Sequence, residues 1–404
     1  MARIVDAIGR VRSGGLSCLE AAALLGMSDR HFRRLRDAYS EGGAAAIIDR
    51  RRGRPASNRA PPELADWVVG QYLTTYFDFT PKHFHEALAK AYPGFVYCYS
   101  WTKSVLYLRG VLKPSKPRGV HRRKRARSPL PGMLVFQDGS THDWFCGRRA
   151  PCDLIVTLDD ATGEMLSAFF VEQEGTASSL RGLHESIGKH GLFSSFYTDR
   201  GSHYFYTPQI GGKVDKERPT QVGRALAQLG ITHIPSYSPE ARGRMERVFG
   251  TLQGRLPQEL RLAGIDDVEA ANAWLARHYI ADFNARFAVA PEGEGSAFLA
   301  FVGDLENILC VQEERLVGND NCVRYEGRVL QIPEQTHRRH YVKARVRVHD
   351  YPDGALAIFH GPRKLADFPA HDQAEIAEVP AAPASARARG PQGQALRAAL
   401  ARRP

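Results

Sequence analysis

No run of about 18 apolar residues occurs in this sequence, so no membrane-spanning helix is expected. The N-terminal stretch MARIVDAIGRVRSGG carries arginine but lacks the apolar segment and cleavage site of a secretory signal, and an internal, cytoplasmic protein is expected. Cysteine is sparse. Cys18, Cys98, Cys146, Cys152, Cys310 and Cys322 are scattered and form no pair of C-x-x-C hooks, which argues against both a zinc site and a disulfide framework. Acid is missing where base is densest: between Lys113 and Arg127 there are eight lysines and arginines and no aspartate or glutamate. What is present is length and positive charge. The 404 residues, 43% of them hydrophobic, suffice for two to four domains with real cores. The 55 basic against 44 acidic residues leave a net charge of +11, which favours a polyanionic partner because neutralised phosphates release counterions.

Residues 1–48 read as a compact helical unit. A small-residue helix, a Gly26-Met27-Ser28 turn and a second helix capped by Ser28 make a helix-turn-helix pattern, with Arg30, Arg33, Arg34 and Arg36 on the second helix and Phe32 and Leu35 facing the core. Residues 49–62 form a linker containing Arg51, Arg52 and Arg54, able to lie in an A·T-rich minor groove or to serve as a solvated tether. Residues 63–112 form a second helical, helix-turn-helix-like unit. In it Thr80-Pro81 opens one helix and Ser100 is expected to cap another, whose apolar positions Trp101, Val105 and Leu108 recur at helical spacing. His83 and His85, two apart and so about 200° apart around a helix, are a poor metal pair. Lys103 and Arg109 can reach phosphate. The Pro-broken linker 113–130 carries Arg122, Arg123, Lys124 and Arg125, placed to track phosphates between the helical units and the remainder of the chain.

From residue 131 to about 290 the pattern turns strand-like. MLVFQD, CDLIVTLDD and MLSAFFVEQE suit an antiparallel meander; a helix, TASSLRGLHESIGKHG, then leads to the strand FSSFYTD and a further helix. Asp138 sits in the first apolar run, Asp199 ends the fourth strand, and Glu246 opens a helix. Carboxylates gathered from distant sequence onto neighbouring strand ends can hold two magnesium ions about 3.5–4 Å apart, suited to phosphodiester chemistry. The settings MLVFQDGS, YTDRGSHY and HIPSYSPEARGRMERVFGTLQ carry a resemblance. From about Pro131 to Phe287 the chain resembles the DDE catalytic core shared by retroviral integrases and insertion-sequence transposases, and is most similar to the ISNCY type.

The resemblance implies an α/β RNase H-like core in which the first and fourth strands are neighbours. Asp138, Asp199 and Glu246 would then be catalytic residues and metal ligands for two magnesium ions, with manganese able to substitute. Met245, Val248 or Phe249, Leu252 and Leu256 repeat at three and four residues as the buried stripe of the last helix, with Glu246 at its border and Arg242, Arg244 and Arg247 beside it to grip DNA. Asp159 and Asp160 are expected to serve a turn, Asp143 to point away, and Asp153 to stay outside the ligand set. His203 either orients a scissile phosphate or hydrogen-bonds its loop. Tyr197 lacks the arginine and histidine partners of a serine or tyrosine recombinase, so covalent catalysis is not expected. Two departures from integrases stand out: no N-terminal His/Cys zinc module matches, and 46 residues separate Asp199 from Glu246, the excess being a Gly-rich insertion at 206–220.

Residues 308–370 are strand-rich, with an Asp353-Gly354 hairpin signal. Lys343, Arg345 and Arg347 alternate with Val342, Ala344, Val346 and Val348, which reads as a small β-barrel with one basic wall. Residues 371–404, rich in Ala, Pro, Arg and Gln, read as a flexible basic tail. The fold class expected is therefore multidomain: N-terminal all-α helix-turn-helix units, a central α/β RNase H-like core and a C-terminal small β-barrel. The function expected is that of a DNA transposase that binds terminal inverted repeats and carries out magnesium-dependent 3′-end cleavage and strand transfer. Its partners would be double-stranded DNA, as element ends and as target, and further copies of itself, at least a dimer on DNA. A catalytically silent DNA-binding regulator with the same fold, or a structure-specific nuclease, are the alternatives.

Overall fold

The computed structural model describes residues 1–48, 60–113, 125–209, 212–215, 217–237 and 239–370, with the side chains of 239–242 excepted. The expected linker arginines Arg51, Arg52 and Arg54, the linker cations Arg122, Arg123 and Lys124, and the tail 371–404 lie outside the described residues. The chain divides into two compact units, Met1–Phe77 with Phe84–Pro114, and Asp78–His83 with Ser115–Pro404.

In the first unit, α1 (Ala2–Arg12), α2 (Cys18–Leu24) and α3 (Asp29–Ala46) enclose a small core of Ala7, Ile8, Ala21, Ala22 and Phe32. Ser17 and Glu20 form a reciprocal capping box that starts α2, and the Ser28 hydroxyl accepts from the His31 N–H at 3.3 Å to start α3, as the sequence predicts. Three further helices follow: α4 (Pro62–Thr74), α5 (Pro81–Ala91) and α6 (Tyr99–Leu108). Thr80 caps α5 through the His83 N–H at 3.3 Å. Helix α6 departs from expectation at both ends. It starts at Tyr99 behind Cys98, leaving Ser100 inside the helix, and it buries Thr102, Val105 and Leu106 while Leu108 is 85% exposed. The inward face is thus rotated from the Trp101–Val105–Leu108 stripe; Trp101 packs on Tyr97 at 4.3 Å between ring centroids.

The second unit is built on five strands, β1 (Leu134–His142), β2 (Cys152–Asp159), β3 (Met165–Val171), β4 (Ser195–Thr198) and β5 (Thr232–Pro235), in the order β3-β2-β1-β4-β5. The β1–β2 and β2–β3 pairs are antiparallel, and β1–β4 and β4–β5 are parallel. This mixed sheet fits the RNase H-like fold expected. Every residue of β2 is buried, as a central strand covered on both faces requires. One face is covered by α7 (Thr176–His190) and α8 (Gln221–Gln228), through Leu180, Leu183, Ile187, Val222 and Leu226. The other is covered by α9 (Pro239–Gln253), α10 (Leu256–Leu262), α11 (Val268–Trp274), a π-helical turn at Leu275–Tyr279 and α12 (Ile280–Phe287).

The C-terminal strands are β6 (Val311–Leu316), β7 (Cys322–Tyr325), β8 (Arg328–Gln331), β9 (Arg345–Asp350), β10 (Leu356–His360) and β11 (Arg363–Phe368). They form an open four-stranded sheet, β11-β10-β9-β6, and a separate β7–β8 hairpin around one core; among the described residues no ladder closes them into the expected barrel. The Asp353-Gly354 turn is present, its Ala355 N–H held by the Asp353 carboxylate at 3.0 Å. The expected basic wall is interrupted. Lys343 precedes β9 in a left-handed backbone conformation, and Arg345 and Arg347 face Glu314 of β6, which pairs with Arg345 at 3.5 Å. Among the described residues no helix is long and apolar enough to cross a membrane.

Candidate active site

Strand β1 carries Phe136 and Asp138 on one face, by the alternation of an extended chain, and its parallel neighbour β4 pairs Phe136 with Tyr197, their rings 5.3 Å apart. Continued by two residues, that register sets Asp138 opposite Asp199, one strand spacing or about 4.8 Å across. Asp138 is 9% exposed. Just beyond β4, the Asp199 carboxylate accepts from the Gly201 N–H at 2.8 Å, which holds the Asp-x-Gly turn.

Two glycines make room here. A Cβ on Gly201 would lie 2.9 Å from the His203 ring and 3.0 Å from the Asp199 carboxylate; one on Gly139, next to Asp138, would lie 2.4 Å from the Glu174 carboxylate. Glu174, between β3 and α7, is the acid that the sequence reading missed. Its backbone N–H is held by Asp153 at 2.7 Å, and its carboxylate faces the His203 imidazole at 3.5 Å. Tyr204, fully buried, donates its hydroxyl to Gln137 at 2.9 Å. Burial drives the Tyr204 phenol well above its usual range, and the carboxylates of Glu174, Asp199 and Asp138 push it the same way. The only hint of Glu174 in sequence was an acidic segment, VEQEG, opening a helix, and such segments are common on surfaces.

Helix α9 lies on the same face as Asp138. Its Met245, Phe249 and Leu252 are buried, and the Gln253 side chain donates to the Ser140 hydroxyl of β1 at 3.1 Å. Glu246 is exposed on this helix. Among the described residues no three His, Cys, Asp or Glu side chains stand close enough to hold a metal ion together. The structure thus brings Asp138 and Asp199 to one strand end and leaves Glu246 at the surface.

The neighbouring acids have structural work. Asp159, fully buried, accepts from the Gly132 and Thr162 N–H groups, each at 2.8 Å, the turn role the sequence predicts, whereas the Asp160 carboxylate reaches outside the turn to the Ser128 N–H at 2.8 Å. Of the cations expected to meet DNA, Arg30 and Arg34 are exposed on α3, while Arg33 pairs with Asp29 and Arg36 with Asp37. Lys103 lies over the Tyr107 ring at 5.7 Å, and Arg109 pairs with Asp66. Arg125 and Arg244 are both bound to the buried Asp160, and Arg247 is exposed. The Arg242 side chain lies outside the described residues.

A winged helix-turn-helix family model matches residues 7–64, across α1–α3 and beyond. The chain is 33% identical over 359 residues to the putative transposase y4bF of Sinorhizobium fredii (strain NBRC 101917 / NGR234), covering 88% of this chain and 77% of the relative. It is 27% identical over 373 residues to the transposase for insertion sequence IS1202 of Streptococcus pneumoniae, covering 83% and 79%. Among solved structures, the simian T-cell lymphotropic virus intasome matches at 16% identity over 72% of this chain and 96% of that one, with a TM-score of 0.32; the fold assignment rests on strand order and pairing instead. With a helix-turn-helix match near the start of the sequence, a mixed RNase H-like sheet in the second unit, and this extent of shared sequence, the chain belongs to the transposase family of y4bF.

Proposed function

We propose that the protein binds the terminal inverted repeats of an insertion sequence through its helix-turn-helix units, and cleaves and joins DNA 3′ ends with Asp138, Asp199 and Glu246. The observation that carries this reading is the β1–β4 register, under which two carboxylates from distant sequence become neighbours at one sheet edge. Exposed Arg30 and Arg34 on α3 are the cations of that helix best placed for phosphate or base edges. In this reading the units expected from sequence at 1–48 and 63–112 read or grip DNA, and 131–290 carries catalysis.

The donor set fits a hard divalent cation in part. Asp138 and Asp199 present the carboxylate oxygens that magnesium or manganese takes, whereas Glu246 stands exposed on α9 and, among the described residues, no three such side chains gather. Two bound ions would supply charge stabilisation at the phosphodiester and a more acidic nucleophile. The chain's own residues do the rest. Asp199 is fixed by the Gly201 N–H, His203 stands against Glu174 at the rim, and Gln137 and Tyr204 fill the space beneath, excluding water from the strand end. Water serves as nucleophile for cleavage and the freed 3′-hydroxyl for joining. Two ends must be held together, so the working form is at least a dimer on DNA.

The test uses a duplex copied from the DNA flanking the gene. Asp199→Asn is expected to bind it and neither nick nor join it with magnesium or manganese; normal activity in that variant overturns the assignment. The exposed setting of Glu246 also suits a catalytically silent DNA-binding regulator. That reading predicts no strand breakage by the wild-type protein with either metal. Removal of residues 1–112 separates a transposase, which loses its ends, from a structure-specific nuclease, which keeps hydrolysing.

A further inference from the structure

One buried carboxylate answers to two distant parts of the chain. Asp160, fully buried at the β2–β3 turn, accepts through Oδ2 from the Ser128 N–H at 2.8 Å and the Ser128 hydroxyl at 2.9 Å. Through Oδ1 it accepts from both Arg125 and Arg244. Arg244 donates further to the Asp160 carbonyl at 2.6 Å and to the Arg125 carbonyl at 3.3 Å, and Arg127 donates to the Asp160 carbonyl at 3.1 Å. Two guanidiniums therefore share a single oxygen of one carboxylate, and a third holds the backbone carbonyl of the same residue.

The two sharers differ in setting. Arg244 is 16% exposed and sits on α9 two residues before Glu246. Arg125 is 43% exposed and lies in the basic linker 113–130, at its first residue described after 113. Like charges crowded on one acceptor repel, and the more solvated of the two leaves at lower cost. A phosphate approaching along the linker is the natural competitor for Arg125.

We propose that Asp160 is a positioning residue for α9. Arg244 fixes the helix that carries Glu246, while a DNA phosphate draws Arg125 from the shared oxygen, so that DNA held by Arg125 strengthens the Asp160–Arg244 pair. This assigns Arg244 to the setting of the helix and Arg125 to DNA, where the sequence alone assigned both to DNA. The proposal rests on the reading of Glu246 as a catalytic acid.

The full chain is compared with Arg125→Met, Arg244→Met, Arg244→Lys and Glu246→Gln on a fluorescein-labelled duplex copied from the DNA flanking the gene. Three quantities are read: affinity against salt, amide hydrogen exchange within α9, and nicking at saturating protein. DNA is expected to slow exchange in α9 of the wild type. Arg125→Met should lose that response and lower the slope of log affinity against log salt by about one. Arg244→Met should keep affinity and salt slope, exchange faster in α9, and nick at least on the order of tenfold more slowly, with Arg244→Lys recovering most of the loss. A reduced salt slope in Arg244→Met, or α9 exchange unchanged from wild type, overturns the proposal. Should Arg244→Met fail to fold, Asp160→Asn is read by the same two criteria, faster α9 exchange at retained affinity supporting the proposal and unchanged exchange overturning it. Normal nicking by Glu246→Gln sinks the catalytic reading instead, and is distinguishable because α9 exchange reports the arginine coupling without reference to Glu246.

Discussion

The two sides of the candidate active site are built in different ways. On the sheet side, Asp138 and Asp199 each follow by two residues the parallel pairing of Phe136 with Tyr197, whose register is fixed. On the helix side, Glu246 rides on α9, whose apolar stripe is anchored at Met245, Phe249 and Leu252 and whose start is tied to Asp160 through Arg244. A ladder fixes position residue by residue. A helix packed on an apolar face is located instead by its buried stripe and by its ion pair.

The comparison breaks first at the sheet side. Asp138→Asn should lower nicking by more than on the order of a hundredfold, exceeding the usual cost of an outer partner, while leaving duplex binding intact in gel-shift assays. A mild loss would mean that register alone does not make this edge the centre of the chemistry.

The helix side should show in stability. Asp160→Ala leaves Arg244, only 16% exposed, without its carboxylate, at an expected cost of about 3–5 kcal/mol in urea unfolding. A cost within experimental error would mean that α9 does not depend on this tie.

Acid pH bounds any titration of the site, because a second group responds first. His349 of β9 is 4% exposed, stacked on Phe359 at 4.1 Å, and among the described residues neither ring nitrogen has a hydrogen-bond partner. Burial, with Arg347 and Arg224 nearby and only Asp304 opposing, lowers its pKa from 6.5 to about 4. The unfolded chain therefore binds a proton that the folded chain refuses. The stabilisation is fully present above pH 6.5 and is lost as pH falls from 6.5 toward 4, by about 3 kcal/mol in all. Unfolding free energies of His349→Leu, measured across that window, should lack this part of the slope. Nicking profiles are best compared above pH 6.5.

The smallest effect separates Glu174 from its surroundings. In Gly139→Ala the new Cβ meets the free end of the Glu174 side chain, which can swing aside, so a stability change under about 1 kcal/mol is expected. If Glu174 and His203 help to shape the sheet side, nicking falls while the unfolding midpoint barely moves. If both stay level, the pair is bystander packing.

Much of the frame was legible because it is written in short-range rules. Period-two strands through Asp138 and just before Asp199, the hydroxyl caps at Ser28 and Thr80, the Asp353-Gly354 turn and the apolar stripe of α9 each follow from backbone geometry within a few residues. Failures came where a neighbour decides. Leu108 fits a helical stripe, yet α6 buries Leu106 instead, because the face turned inward is chosen by what packs against it. Lys343 continues an alternating pattern, yet its backbone turns left-handed and β9 starts two residues later. Arg125 and Arg244 looked like a DNA grip, and the carboxylate that holds them lies 35 and 84 residues away along the chain.

Composition and local pattern by themselves determined that this is a basic, helix-then-sheet protein with two aspartates at strand ends and a glutamate on an amphipathic helix. Tertiary structure alone decided which acids become neighbours, that Glu174 stands beside them, that the C-terminal sheet stays open, and that two arginines share Asp160. The division follows range: hydrogen-bonded turns, caps and side-chain periodicity are settled over a few residues, whereas the pairing of buried charge depends on which remote surfaces the folded chain presses together.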